Sequence, residues 1–401
     1  MVVMSKTNFF LKYLKSTIKF INNLLEENLN KLNFKNIGFL LKNNKIILTF
    51  VAVFVIFISY LLLPTFYNQL DISKKLKTEL QNKFDLNFKF SKNIKYNIFP
   101  KPHFIITKSF LNYNQNEISK IEKLKIYISI NNLLSIKNIK IKDLIIEKAN
   151  FDLNNNNYNF FLGPLKKNFK DGNLIIKNSN IFFRNLENDV LFINKILKMK
   201  YYYDAKELKN IFYSDSEIFN IPFSMEAYFN EDKSKIYSYI NLNLIKFRIE
   251  NELNFKNKKK IGKSEFVFNK LKRFIEYEIE KSYFKFHIYD KIDEPAVAYK
   301  GKLNLKPFYA DLDGNLDEIN LNYLFSSNAI ITQLLKTEIF NNKNINFQLN
   351  IIADKIYKNI NFRNIDLKSK IQDGLIDLDN SKFKWKNYVH FELLESLIFV
   401  R

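Results

Sequence analysis

The sequence predicts a mainly β chain carried on one N-terminal transmembrane helix. Three observations predict it. Residues 46–63 form an uncharged apolar run, most of residues 86–401 alternates apolar and polar side chains with a period of two, and no Gly- or Pro-rich linker interrupts that alternation. With 401 residues, 47% of them hydrophobic and 16% aromatic, the chain is too apolar to remain disordered.

The apolar run, IILTFVAVFVIFISYLLL from Ile46 to Leu63, is just long enough at helical rise to cross a hydrocarbon core of about 30 Å. Lys42 and Lys45 flank one side; Pro64, Tyr67 and Asp71 mark the other, where a helix breaker and an aromatic ring suit an interface. The run is too long for a cleaved signal peptide and lacks a small-residue cleavage site, so it reads as an uncleaved anchor. Charge does not orient it: Lys31, Lys35, Lys42 and Lys45 precede the span, and Lys74, Lys75, Lys77 and Lys83 follow it. Residues 1–45 place Phe9, Leu11, Leu14, Ile18, Phe20 and Ile21 among Lys12, Lys15 and Lys19. That pattern suits a basic amphipathic helix on a cytoplasmic membrane surface, and equally a solvated tail.

Beyond the anchor, Ile72, Leu76, Leu80 and Phe84 stand four apart among lysines, which predicts an amphipathic helix over 72–84. The period then drops to two. Leu124, Ile126, Ile128 and Ile130 alternate with Lys123, Lys125, Tyr127 and Ser129, and the pattern recurs at Ile139 and Ile141, Leu174 and Ile176, Leu242 and Leu244, Leu303 and Leu305, and Phe347, Leu349 and Ile351. Strands with one wet and one dry face, joined by Asn- and Asp-containing turns, make an antiparallel meander. Helical spacing at Leu321, Leu324, Ile331, Leu334 and Leu335 predicts a helix over 321–339, and a short one is expected at 204–212. A repeat is also present: Asp171-Gly172 opens DGNLIIKNSNIFFRN and Asp373-Gly374 opens DGLIDLDNSKFKWKN. Each window reads as turn, strand, second turn, strand.

Composition excludes several kinds of chemistry. The net charge of +22 comes from lysine, and the arginines are only Arg184, Arg248, Arg273, Arg363 and Arg401. Base-edge readout relies on the arginine fork, so a nucleic-acid partner is not expected. Lys, Asn, Ile, Phe and Tyr share AT-rich codons, and nucleotide composition accounts for much of the charge. The absence of Cys removes disulfides, zinc-thiolate sites, iron–sulfur clusters and Cys nucleophiles. His103, His287 and His390 lie far apart in strand-like segments and read as structural. Asp311, Asp313, Asp317 and Glu318 form an acidic cluster, but Gly314 stands too early for a calcium loop, so the cluster reads as a solvated hairpin turn. No phosphate loop, G-x-S-x-G elbow or H-E-x-x-H is present. The expectation is no enzyme, no metal and no cofactor.

Several features in order resemble one family. They are the anchor, the short helix, a P-x-P step (Phe99, Pro100, Lys101, Pro102), an alternating strand at His103–Phe110, the run KLKIYISINNLLSIKNIKIKDLIIEKANFDL from Lys123, and the D-G-x-L-x-I-x-N-S hairpins. Together they look like the AsmA family of Gram-negative envelope proteins, over roughly 46–185 and 316–392. Asp85 stands where that family usually has Gly after the short helix, and the turn near Lys92-Asn93 also lacks one. The resemblance divides the chain into an N-terminal segment (1–45), the anchor (46–63), an N-terminal β module (64–185), a middle β region (186–315) and a C-terminal β module (316–401). It implies a single-pass protein of the inner membrane, with its bulk in the periplasm as an elongated, curved β-groove. The implied role is phospholipid transport between inner and outer membrane and outer-membrane homeostasis. The alternative is a non-catalytic scaffold or regulator of outer-membrane protein assembly that meets envelope proteins through open sheet edges.

A sheet with one dry face must put that face somewhere without water, and a trough can offer it to acyl chains. The candidate lining is Phe104, Ile106, Leu124, Ile126, Ile128, Ile130, Ile139, Ile141, Leu144 and Ile146. The same residues fit a β-sandwich or packing against a helix equally well, and spacing alone does not separate these readings. Strands of about 11 residues stacked at roughly 4.8 Å would extend the sheet on the order of 130 Å.

Overall fold

The computed structural model describes residues 45–399 except 92, 132, 155, 158, 186, 256–259, 269–270, 281–282, 290–296, 306–307, 321–334, 336–338 and 387. The segment before residue 45 lies outside the described residues, as does almost all of the helix expected over 321–339. Contacts divide the chain into two compact units, one ending at Phe66 and one starting at Tyr67.

The first unit holds helix α1 (Lys45–Leu62), whose 18 residues rise about 27 Å. A 3-10 turn, Leu63–Phe66, follows, because Pro64 cannot continue the α-helical hydrogen-bond ladder. Phe50, Val53, Phe54 and Ile56 are exposed. This helix is long and apolar enough to cross a membrane.

The second unit opens with α2 (Gln69–Phe84). It starts before the expected 72 because the Asn68 side chain accepts a hydrogen bond from the Leu70 N–H at 2.8 Å. At the other end Asp85 adopts φ 62°, and its N–H reaches the Gln81 carbonyl at 3.0 Å. Aspartate tolerates this left-handed position, so the missing glycine leaves the helix stop intact.

Among the described residues, twenty-two strands form one curled sheet. β1 (Asn87–Lys89) and β2 (Ile94–Asn97) both pair with β3 (His103–Tyr113), which continues antiparallel into β4 (Asn116–Ile128) and β5 (Ile141–Leu153). A parallel step leads to β6 (Leu174–Arg184). The connection it requires, 154–173, contains the single-turn helix α3 (Leu162–Leu165). Antiparallel pairing then runs through β7 (Val190–Asp204), β8 (Lys209–Ile218), β9 (Ile221–Phe229), β10 (Lys235–Leu242), β11 (Phe247–Asn254) and β12 (Lys260–Phe268). It continues through β13 (Leu271–Ile279), β14 (Tyr283–Tyr289), β15 (Val297–Leu305) and β16 (Phe308–Ile319). A second parallel step gives β17 (Ile345–Ile356), then antiparallel β18 (Asn359–Gln372). β18 carries both β19 (Leu375–Asp377) and β20 (Lys382–Trp385), which pair in turn with β22 (Leu397–Phe399) and β21 (Val389–Glu392). From β3 to β18 the steps span about 70 Å at roughly 4.8 Å each. That is shorter than the 130 Å expectation because the strands are long and the connections consume residues.

The expected helix at 204–212 is instead a turn and the start of β8. Asp204 Oδ1 accepts the Lys206 and Glu207 N–H groups at 2.8 and 3.2 Å, which closes a turn rather than a helix. Leu242 and Leu244 are not strand partners either: β10 ends at Leu242, and Leu244 sits exposed in the 3-10 turn Asn243–Ile245.

A crease crosses β3 to β7. In each of these strands two successive residues face outward: Thr107-Lys108, Glu122-Lys123, Glu147-Lys148, Lys177-Asn178 and Leu197-Lys198. The buried positions on either side are therefore three apart: Ile106 and Ser109, Ile121 and Leu124, Ile146 and Ala149, Ile176 and Ser179, Ile196 and Met199. Lys108, Lys148 and Asn178 hold φ of 57°, 55° and 47°. The aligned irregularities bend the sheet while the dry face stays dry on both sides. Outward charges pair across the crease, Lys148 with Glu122 at 3.7 Å and Lys125 with Glu147 at 2.7 Å.

A second crease crosses β16 to β18, where Leu316 and Ile319, Ala353 and Ile356, and Phe362 and Ile365 are three apart and Asn364 has φ 47°. It folds Ile319, Ile351, Ala353 and Ile365 into a small core, with Leu316, Leu349, Ile356 and Phe383 packed against it.

The D-G repeat is partly conformational. Asn178 and Asn380 are both left-handed, and Ser179 and Ser381 are both buried. Ser179 Oγ accepts the Ala149 N–H at 3.0 Å, and Ser381 Oγ accepts the Lys368 N–H at 2.9 Å. The second copy is the expected strand, turn and strand. In the first copy the chain passes Asn178 without leaving β6.

Replacing Asn178 by Val, a β-branched residue that strongly resists positive φ, is expected to destabilise the fold by about 1–3 kcal/mol, whereas Lys148→Gly is expected to be neutral or stabilising. Urea midpoints of the two variants check this.

Candidate functional site

Nine of the ten predicted lining residues are core. Phe104, Ile106, Leu124, Ile126, Ile128, Ile139, Ile141, Leu144 and Ile146 are at most 3% exposed. Ile130, at 47%, lies past the end of β4 and faces solvent. Ile72, Leu76, Leu80 and Phe84 of α2 are equally buried, as are Phe160, Leu165 and Phe169 of the connection after β5. The Phe169 ring stands 6.0 Å from Phe84 and stacks on Tyr201 at 5.8 Å. Tyr201, fully buried, donates to the Phe161 carbonyl at 2.7 Å. Lys83, in the last turn of α2, donates to the carbonyls of Ile141, Lys142 and Asp171 at 2.7, 3.1 and 3.0 Å. Burial lowers its pKa, opposed by Asp171, Asp143 and Glu79. The N-terminal dry face is therefore closed, and it offers no open lining.

The same face continues into the middle of the sheet under different conditions. Followed through the pairing register, Phe104 leads to Ile126, Leu144, Leu174, Tyr201, Phe212, Ala227, Ser238, Asn251, Ser264, Ile275 and Ile288. From β10 onward many of its apolar members, among them Ile240, Ile249, Phe266, Ile275, Phe284, Phe286 and Ile288, are only half-buried, while Ile236 and Tyr277 stay buried. Two glycines lie among them, each under a ring of the adjacent strand. A Cβ on Gly262 would come within 2.1 Å of the Tyr277 ring, and one on Gly301 within 2.3 Å of the Phe286 ring. The rings fill the space that a side chain would take at each glycine.

A polar ladder crosses it. Asn251 Nδ2 donates to Ser238 Oγ at 3.1 Å, while its Oδ1 accepts from Ser264 Oγ at 2.7 Å and from the Tyr277 hydroxyl at 2.5 Å. Burial pushes the Tyr277 hydroxyl up to about 12, opposed by its hydrogen bonds. The ladder ties four strands at one height and places hydroxyl and amide groups within an otherwise apolar stretch.

The opposite face is charged and tyrosine-rich. A cleft of about 800 Å³ lies there, lined by Glu226, Tyr228, Tyr237, Tyr239, Glu250, Glu252, Lys263, Glu265, Phe274, Glu276 and Tyr289, among others. Its glutamates are largely neutralised by cross-strand partners: Lys235 with Glu252 at 2.5 Å, Lys263 with Glu276 at 2.7 Å and Lys272 with Glu265 at 2.7 Å. Ion pairs across adjacent strands in this wall favour the observed register.

The acidic cluster is not a hairpin turn. Phe308–Ile319 is one strand, in which Asp311 and Asp313 pair with Lys302 and Lys300 of β15. Asp317 and Glu318 are the outward residues of the second crease. Among the described residues no group of three His, Asp or Glu is placed to hold a metal. His103 stacks on Tyr127 at 4.8 Å, and its Nδ1 lies 2.7 Å from the Lys101 carbonyl. His287 and His390 lie in β14 and β21. The arrangement can hold apolar chains beside a hydrogen-bonding ladder. No family model, curated relative or solved structure matches the chain.

Ile126→Asp and Ile141→Asp, which bury a carboxylate in a closed core, are expected to abolish cooperative folding; Ile275→Asp and Ile288→Asp are expected to remain folded. Circular dichroism with urea titration separates the two pairs. Tyr277 keeps its proton to higher pH in the folded chain than in the unfolded one, so its contribution is complete below pH 10 and is lost as pH rises through about 12. Relative to Tyr277→Phe, the wild type is expected to lose about 2–3 kcal/mol across that window, measured by urea melts at each pH.

Proposed function

We propose that this chain is a single-pass protein of a Gram-negative inner membrane, with its sheet in the periplasm, and that it holds phospholipid acyl chains on the mid-sheet dry face without catalysing a reaction. The observation that carries this reading is the contrast along one continuous face, closed at 0–3% exposure under α2 yet half-open and aromatic across β10 to β14. Rings packed over glycine backbone, with partly exposed Ile249, Ile275 and Ile288 beside them, provide an apolar surface with few side-chain obstacles, which suits flexible chains. The helix long and apolar enough to cross a membrane supplies the anchor, and the resemblance to the AsmA family favours a role in inner-to-outer membrane lipid transport and outer-membrane homeostasis. A sheet of about 70 Å favours partners that extend it or receive from it.

A second reading is favoured by the C-terminal strands. Tyr388, Val389, Phe391, Leu394, Leu397, Ile398 and Phe399 are exposed on or beside β21 and β22, short strands that pair on one side only among the described residues. Such edges accept a further strand, so a scaffold for envelope proteins would use this end.

Native mass spectrometry of the full chain released from mild detergent tests the first reading. Phospholipid retained in defined stoichiometry by the wild type, and lost in the folded Ile275→Asp variant, is the expected result. A folded, lipid-free wild type overturns it in favour of the scaffold.

A further inference from the structure

Four large apolar side chains are exposed at one end of the second unit: Leu70 at 80%, Phe99 at 79%, Leu134 at 76% and Ile130 at 47%. Scattered singly, such residues need no explanation; gathered at one end, they do. The structure gathers them by specific bonds. The Tyr67 hydroxyl donates to the Leu133 carbonyl, tying the approach to α2 to the loop after β4. The Ile128 N–H donates to the Pro102 carbonyl at 3.0 Å, setting the 98–102 loop beside that same strand end. Tyr67, Asp71, Lys74, Lys75, Thr78, Leu134 and Lys137 line a single cleft of about 700 Å³ there.

The charge around these residues is mainly positive. Lys101, Lys137 and Lys140 are exposed, Lys74 lines the cleft, and Lys75 is balanced by Glu79 at 3.0 Å. Asp71 is the one carboxylate among the cleft residues. Apolar tips rimmed by lysines fit the boundary between acyl chains and anionic headgroups. Chain connectivity names the occupant. Only Leu63–Phe66 separate α1 from Tyr67, and four residues reach at most about 14 Å. This end of the unit is tethered to whatever bilayer α1 enters.

We infer that this end is a second, peripheral membrane contact, with Leu70, Phe99, Ile130 and Leu134 inserted at the headgroup boundary of that bilayer and Lys74, Lys101, Lys137 and Lys140 on its anionic headgroups. The inference rests on the reading of α1 as an anchor. It adds a second point of contact with the bilayer to the single helix.

The chain has no cysteine, so single-cysteine variants can be labelled cleanly. Phe99→Cys and Leu134→Cys, each carrying an environment-sensitive fluorophore, would be reconstituted as full chains into vesicles of phosphatidylcholine with phosphatidylglycerol and challenged with lipids carrying a quencher near the headgroup. Phe54→Cys in α1, with lipids quenching at depth, reports the anchor, and Ile352→Cys on the exposed face of β17 reports a surface away from the bilayer. At least twofold stronger quenching at 99 and 134 than at 352 is expected, reduced in Lys74→Glu/Lys137→Glu and in vesicles lacking phosphatidylglycerol. Quenching at 99 and 134 no greater than at 352, with 54 still quenched, overturns the contact and leaves the anchor standing. Absence of quenching at all four sites overturns both. Equal quenching with and without phosphatidylglycerol overturns the assignment of the lysines to anionic headgroups.

Discussion

One requirement governs this molecule: a continuous β-sheet sends alternate side chains to the same face, and where those side chains are apolar the face gains by being kept from water. The chain meets the requirement in three ways along its length. At the N-terminal end α2 and the connection after β5 lie on the face, and Leu76, Leu80, Phe84 and Tyr201 are removed from solvent completely. Towards the C-terminus the sheet folds on itself and closes a small core around Ile351 and Ala353. Between them the Tyr277 and Phe286 rings overlap the glycines opposite, while Ile249, Ile275 and Ile288 stay partly exposed. The two closed ends hold the open middle in shape.

Much of this was legible from residue order. The apolar span, the amphipathic helix and the period-two strands were readable because each rests on spacing within one element. What one element covers in another was not. Leu76 and Leu80 announced an apolar helix face, yet nothing local to them said that it would pack against β5, so spacing left lining and core as equal readings of residues that are buried in the fold. The open stretch, Ile249, Ile275 and Phe286, alternates with Glu, Lys and Asn just as the covered stretch does, and period alone cannot rank the two. The Asp311 cluster was misread for a related reason: acids one apart suggest a turn until their lysine partners on the neighbouring strand are known. A better signal was available. Apolar residues three apart inside strand-like segments, as at Ile121 and Leu124, Ile146 and Ala149 or Ile196 and Met199, look like noise in an alternating pattern, yet with the Ile-to-Ser pairs Ile106 and Ser109 and Ile176 and Ser179 the spacing recurs in five successive strands and marks the crease.

The polar face shows how a strongly cationic chain remains a regular sheet. Lysines opposite glutamates on adjacent strands replace like-charge repulsion with weak attraction at many steps. Each exposed pair contributes little to stability. Their collective effect is on register, since a slip by one residue would set the ladder's charges against apolar neighbours and turn the dry face outward.

The creases also decide where such a chain can change length over evolutionary time. A hairpin added between β10 and β15 inserts two strands, lengthens the trough by about 10 Å and leaves every existing pair in register. A residue added or lost in β3 to β7 is different, because the outward pair of each strand stands beside that of its neighbour and a single change would break the line. The N-terminal end is therefore the fixed fitting of the molecule, and the middle is the part whose reach can be adjusted one hairpin at a time.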